Sequence, residues 1–316
     1  MSEIPVDRPF LDGRPFTLSE AAKVGVSEKV LRRLVASGVV RSLCHGLYVD
    51  ASTPDSISLR AEAVAKVVAP DTVVCRTSAA WLYGVDCFPP DQLDALLRLE
   101  TLRPPKSRSG RRTITAGHSQ TLLHGDVIDL HGLRVTSPLA TAVHLARHLR
   151  RPFALSALDA MARADLIDEP ELCAAIDRYP HHPGIRQARE LARLMDARSE
   201  SPGESWLRLR LLDAGFTDVV PQVEVMTGRR VRRIDLGFPG RPRSSDGLRL
   251  GLEYDSDEWH GTQEQQVIDE DRVDELRLVG WVILPVRRWQ VWGPTGELEL
   301  VVGEFLEREP WLPRRW

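Results

Sequence analysis

The sequence predicts an α/β (α+β multidomain) chain, and three observations carry that expectation. Its 316 residues exceed what one hydrophobic core usually organises, since single cores stop growing at about 250–300 residues. The first two thirds are punctuated by helix caps and glycine stops. The last third reads helix, three strands, helix, strand. In VRRIDLGF, Ile234, Leu236 and Phe238 alternate with Arg233, Asp235 and Gly237, and in LRLGLEYD, Leu248, Leu250, Leu252 and Tyr254 alternate with Arg249, Gly251, Glu253 and Asp255. Strand residues point to opposite faces in turn, so each segment is expected to bury one apolar face and expose a polar one. The domains expected are 1–55, 56–198 and 199–316.

The first unit is built from local signals. Residues 1–15 hold Pro5, Pro9 and Pro15 and read as an extended arm. Thr17 or Ser19 caps LSEAAKVG, which stops at Gly25. Ser27 caps SEKVLRRLVASG, whose Val30, Leu31, Leu34 and Val35 form an apolar stripe ending at Gly38. VVRSLCHGLYVD then reads as two β runs around His45-Gly46. Two short helices, a tight turn and a hairpin are the parts of a winged helix-turn-helix, whose second helix enters the major groove. Ser27, Lys29, Arg32 and Arg33 are the candidate DNA contacts on that helix, with Arg41 and His45 at the wing. A protein–protein module built on the same scaffold is the alternative.

The middle region is expected to be mostly helical. SLRAEAVAKVVAP and TSAAWLYGV read as helices, and HGLRVTSPLATAVHLARHL as a strand followed by a helix with Pro138 in its first turn. LRPPKSRSGRR is a Pro- and Arg-rich loop between them.

Composition excludes several classes. The chain is 42% hydrophobic and 28% charged, with a net charge of −3, which is ordinary for a globular protein. No apolar run is long enough for a membrane span and MSEIPVDRPF lacks a signal pattern, so a cytoplasmic location is expected. Cys44, Cys75, Cys87 and Cys173 are scattered, which argues against a zinc site or a disulfide framework. The positive charge is almost entirely arginine, the side chain that grips phosphate through two parallel hydrogen bonds. Arg229, Arg230, Arg232 and Arg233 form a basic patch open to two readings, phosphate tracking or a charged hairpin turn.

If the late strands are neighbours, Asp235, Glu253 and Asp255 crowd together. Three like charges are costly unless a cation or a shared proton neutralises them. An oxygen-only set suits a hard ion such as Mg²⁺ and points to phosphodiester chemistry. The bland alternative is that these acids stay wet on a polar strand face. Ser201 with Glu204 has capping-box spacing.

The order αβββαβ, with RIDLGFP, LEYD, EWHG (Glu258 to Gly261) and DEDRVDELRLVGWVILPV, resembles the restriction-endonuclease-like superfamily and its very-short-patch-repair branch, over residues 200–293. The resemblance implies Asp235 and Glu253 as ligands of Mg²⁺ or Mn²⁺. It makes Glu204 a support for the metal or its water, and His260 a general base or phosphate contact. The superfamily's usual lysine two positions after the strand glutamate is here Asp255. Either Asp255 adds a ligand while His260 handles the proton, or catalysis is lost. FTLSEAAKVGVSEKVLRRLVASGVVRSLCHGLYVD and GLRVTSPLATAVHLA resemble abortive-infection antitoxins of the AbiEi type. Two functions are therefore expected. One is a metal-dependent DNA endonuclease guided by the winged helix. The other is a catalytically inactive DNA-binding regulator of a type IV toxin–antitoxin-like system, with DNA and a cognate toxin as partners. RNA cleavage is a third, weaker option.

Overall fold

The computed structural model describes residues 11–87, 98–102, 115–118, 122–228, 230–243, 245–255 and 263–316, with side chains of 263–270 outside that description. Helices and strands alternate along it, and among the described residues the strands form three sheets, as an α+β multidomain chain requires. The chain divides into two compact units, Met1–Leu145 and Ala146–Trp316.

In the first unit, β1 (Phe16–Thr17) leads into α1 (Leu18–Lys23), followed by α2 (Glu28–Ala36), β2 (Val40–Cys44) and β3 (Leu47–Asp50). Thr17 and Glu20 cap α1 reciprocally: Glu20 N–H donates to Thr17 Oγ1 at 3.2 Å and Thr17 N–H to Glu20 Oε2 at 2.7 Å. Ser27 caps α2 through Val30 N–H. The expected stripe is the buried one, with Leu31 and Leu34 in a core beside Phe16, Ala21 and Val40. The strands pair in the order β1-β3-β2. Cys44 and Leu47 of the hairpin turn inward and join a second core with Ala61, Val64, Val74, Leu82 and Val135.

Next come α3 (Ile57–Ala65), β4 (Val73–Val74), α4 (Arg76–Leu82), β5 (Leu99–Leu102), β6 (Thr115–His118), β7 (Val127–Leu130), β8 (Leu133–Thr136) and α5 (Pro138–His148). The expected helices and the strand-then-helix are present here. The region also carries a five-stranded sheet of order β6-β5-β4-β8-β7, built from strands of two to four residues. Such runs are too short for alternation to stand out.

In the second unit, α6 (Arg151–Arg163), α7 (Glu169–Asp177) and α8 (Ile185–Leu194) precede α9 (Pro202–Asp213). Then follow β9 (Val220–Thr227), β10 (Arg230–Gly237), β11 (Arg249–Asp255), α10 (Gln263–Leu278), β12 (Trp281–Arg287), α11 (Arg288–Trp292) and α12 (Glu297–Leu306). The sheet order is β12-β11-β10-β9, parallel only between β11 and β12, where α10 makes the crossover. On one face Leu236, Phe238, Leu250, Leu252 and Val286 pack on Trp206, Leu207 and Leu211 of α9. On the other, Val223, Val225, Ile234 and Trp281 pack with Leu276 of α10. A buried ion pair, Arg210 to Glu299 at 2.6 Å, ties α9 to α12.

This arrangement corrects one expectation. Ile234 does not share a face with Leu236 and Phe238. It belongs to the α10-side core, while they belong to the α9-side core. The switch lies at Asp235, opposite Gln222, since the β9–β10 register runs Ile234↔Val223 and Leu236↔Pro221 on either side. Gln222 has φ +52°, a left-handed conformation that breaks the two-residue period of the strand.

Candidate functional site

Three expected acids, Glu204, Asp235 and Glu253, do gather in the second unit. Asp235 sits at the face switch of β10, and the β10–β11 pairing ends beside it at Leu236↔Leu252. One step further on, the Tyr254 N–H donates to Asp235 Oδ2 at 2.9 Å. The carboxylate takes the acceptor place that a strand carbonyl would fill. Burial, then repulsion from Glu204 and Glu253, pushes the Asp235 carboxyl up to about 6, against the opposing pull of the Tyr254 N–H and Arg272.

Glu204 is buried in the first turn of α9. The expected capping box is only half formed, by Ser201. Its own N–H donates to Ser201 Oγ at 3.2 Å, but its carboxylate reaches past Ser201 to the N–H of Glu200 at 2.9 Å. The same oxygen accepts Gln222 Nε2 at 2.9 Å. The left-handed turn at Gln222 is therefore what aims its amide at Glu204.

Glu253 is held by Arg272 of α10. Arg272 Nη1 donates to Glu253 Oε2 at 2.8 Å, Nη2 donates to Oε1, and Nη2 also donates to the carbonyl of Arg233 at 2.6 Å. Asp255 stands apart, partly exposed and 3.8 Å from Arg287. Its register partner on β12 is that same Arg287. His260 lies outside the described residues, as do Glu258 and Trp259. Among the described residues no group of three or more His, Cys, Asp or Glu side chains is placed to hold a metal ion. The geometry gives the reason: both oxygens of Glu253 are occupied by a guanidinium, and Asp255 turns to Arg287. In this conformation the carboxylates do not make a ready ligand set for Mg²⁺.

The basic patch resolves into ion pairs. Arg232 lies 2.8 Å from Glu275, Arg230 lies 3.9 Å from the same carboxylate, and Arg233 lies 2.6 Å from Glu200. Solvent-screened pairs of this kind contribute little, so they can be exchanged for phosphate contacts at small cost. Arg229 lies outside the described residues.

The helix-turn-helix surface is simpler. Lys29, Arg32 and Arg33 stand exposed on α2, with Arg32 paired to Glu28 one turn earlier. Ser27 serves as the cap. Arg41 is half-buried and donates to the Thr53 carbonyl at 3.0 Å, so it braces the base of the wing. His45 is half-buried beside Gly46, whose φ of +77° forms the turn.

Residue-by-residue reading missed Gln222, Glu200 and Arg272. Arg272 had a usable signal, as the one basic residue between Glu264 and Leu276. It shares a helical face with Glu275 and the fully buried Leu276, at i+3 and i+4. Asp271, beside Arg272 in the sequence, is exposed.

Comparison with known proteins bears on most of the chain. Residues 72–212 match the family described as the AbiEi antitoxin C-terminal domain, a span that ends inside α9. Two Mycobacterium tuberculosis proteins, described as Uncharacterized protein MT2308 and Uncharacterized protein Rv2248, are each 30% identical over 274 residues. The alignment covers 86% of this chain and 93% of each relative. This chain belongs to the family of those mycobacterial proteins, and its residues 72–212 are similar to the AbiEi antitoxin C-terminal domain.

Proposed function

We propose that this chain is a DNA-binding regulator of the antitoxin kind, whose N-terminal helix-turn-helix reads duplex DNA and whose partner is a cognate toxin. One observation carries the reading: Lys29, Arg32 and Arg33 stand outward on the second helix of that unit, in a chain whose residues 72–212 are similar to an antitoxin domain. Arginine and lysine there grip phosphate and set register, while neighbouring side chains read base edges. The test is binding of the full chain to DNA from upstream of its own gene, across a salt series. Binding should weaken steeply with salt, and Arg32→Glu with Arg33→Glu should reduce both the affinity and the salt slope. Undiminished binding by that variant sinks the reading.

A second reading is hydrolysis of DNA phosphodiester bonds by a restriction-endonuclease-like C-terminal core using Mg²⁺ or Mn²⁺. It is favoured by the convergence of Glu204, Asp235 and Glu253 at the parting of β10 and β11. Metal-activated water is the chemistry that such an ion supplies. Supercoiled plasmid incubated with Mn²⁺ or Mg²⁺ would be nicked by the wild type and spared by Asp235→Asn. Equal behaviour of the two proteins ends this reading. An RNA substrate in the same assay addresses the third option, since carboxylate chemistry does not choose the sugar.

A further inference from the structure

We infer that Arg272 is the resident cation of the carboxylate cluster, a guanidinium that bridges the parted strands and occupies the place a divalent ion would take on Glu253. The inference rests on the second reading only in concerning the same carboxylates. Its contacts and its test do not require catalysis.

Three observations support it. The first is geometry. Arg272 makes a two-pronged contact with Glu253 of β11 and a third bond, 2.6 Å long, to the Arg233 carbonyl of β10. The planar fork of a guanidinium matches both oxygens of a carboxylate, which a lysine ammonium cannot do. The second is position. The regular β10–β11 register stops at Leu236↔Leu252, and just beyond that end two side chains span the strands, Asp235 to the Tyr254 N–H and Arg272 to the Arg233 carbonyl. The third is charge. Glu204 and Glu253 both act on Asp235 as repelling neighbours, and Arg272 is the cation that counters them.

The positive charge on Glu253 comes from another element, α10, nineteen residues further along the chain. Because Arg272 uses both oxygens of Glu253, a divalent ion and the guanidinium compete for one carboxylate. The helix that carries Arg272 also pins Glu275 to Arg232 and Thr227, so losing Arg272 from the cluster need not release α10 from the sheet.

The experiment uses the full chain and four proteins: wild type, Arg272→Gln, Arg272→Lys, and Arg272→Gln combined with Glu253→Gln. Melting is followed in EDTA and in Mn²⁺, and Mn²⁺ affinity is measured by calorimetry. The wild type should melt at one temperature in both conditions. Arg272→Gln should melt lower in EDTA and recover in Mn²⁺. It should bind Mn²⁺ at least about ten-fold more tightly than wild type, since the competitor is gone. Arg272→Lys should fall between the two, and adding Glu253→Gln should restore the melting lost in Arg272→Gln, because the unpaired charge has been removed. The inference is overturned if Arg272→Gln melts with the wild type in EDTA, if neither Mn²⁺ nor Glu253→Gln relieves its loss, or if wild type binds Mn²⁺ as tightly as the variant. Plasmid nicking is read separately, so a wild type that never cuts DNA leaves every one of these outcomes interpretable.

Discussion

Replacing Asp235 by Asn should make the protein more stable at neutral and higher pH, the reverse of what most buried substitutions do. The Asp235 carboxyl is raised from 3.8 to about 6, with burial as the largest cause and Glu204 and Glu253 adding to it. An acid whose folded value lies above its unfolded one favours folding below the unfolded value, and that advantage is lost as pH rises through about 6. Near neutrality the native state therefore carries a charge it holds at a cost. With about 1.4 kcal/mol per unit of displacement, the cost approaches 3 kcal/mol above about pH 8, an upper figure because water still reaches the site. Asparagine keeps an oxygen for the Tyr254 N–H, so the hydrogen bond now 2.9 Å long survives; the charge is removed and the other oxygen becomes an NH2 that can donate to the neighbouring Glu204 or Glu253 carboxylate. For a unit of this size about 1 kcal/mol moves the melting temperature by roughly 2–4 °C. Asp235→Asn should then melt about 5–10 °C higher than wild type near pH 8, with the gap shrinking to a degree or two near pH 4. Calorimetric scans at the two pH values are the measurement. A variant that melts lower near pH 8, or a gap equally wide at both, would refute the argument that charge burial dominates at this position.

Four other substitutions, at three positions, separate packing from polar contributions. Gln222→Ala should cost about 1.5–3 kcal/mol by removing the 2.9 Å bond to the buried Glu204. Gln222→Gly should cost about 1 kcal/mol less, because glycine accepts the φ of +52° without strain, and paired urea denaturations read the difference. Gly203→Ala should destabilise by at least about 1–3 kcal/mol, since a Cβ there would overlap the Tyr254 ring. It should also shift the Asp235 titration followed by NMR. Arg210→Ala should cost about 3–5 kcal/mol, because it leaves the buried Glu299 only the more distant Arg314, 3.9 Å away, in place of a partner as buried as itself, and a drop in denaturant midpoint checks it.

Local signals were sufficient wherever one segment decides its own structure. Thr17 and Ser27 announced α1 and α2, Gly46 announced the hairpin turn, and the change between period-2 and helical patterns announced the order from α9 to β12. The five short strands of the middle sheet carried too few residues each to show a pattern, and they exist because neighbouring strands complete their hydrogen bonds.

The amino-acid sequence by itself determined the acids, their strands and the helix that presents Lys29, Arg32 and Arg33. It could not determine that Ile234 and Leu236 face opposite sides, because the break at Asp235 lies opposite a left-handed residue, Gln222, on the adjacent strand, and strand pairing is a tertiary matter. Nor could it determine that Glu253 pairs with Arg272 of the crossover helix. That pairing depends on where the crossover helix lands on the sheet, and charges far apart in the chain interact only after burial has set the distance between them.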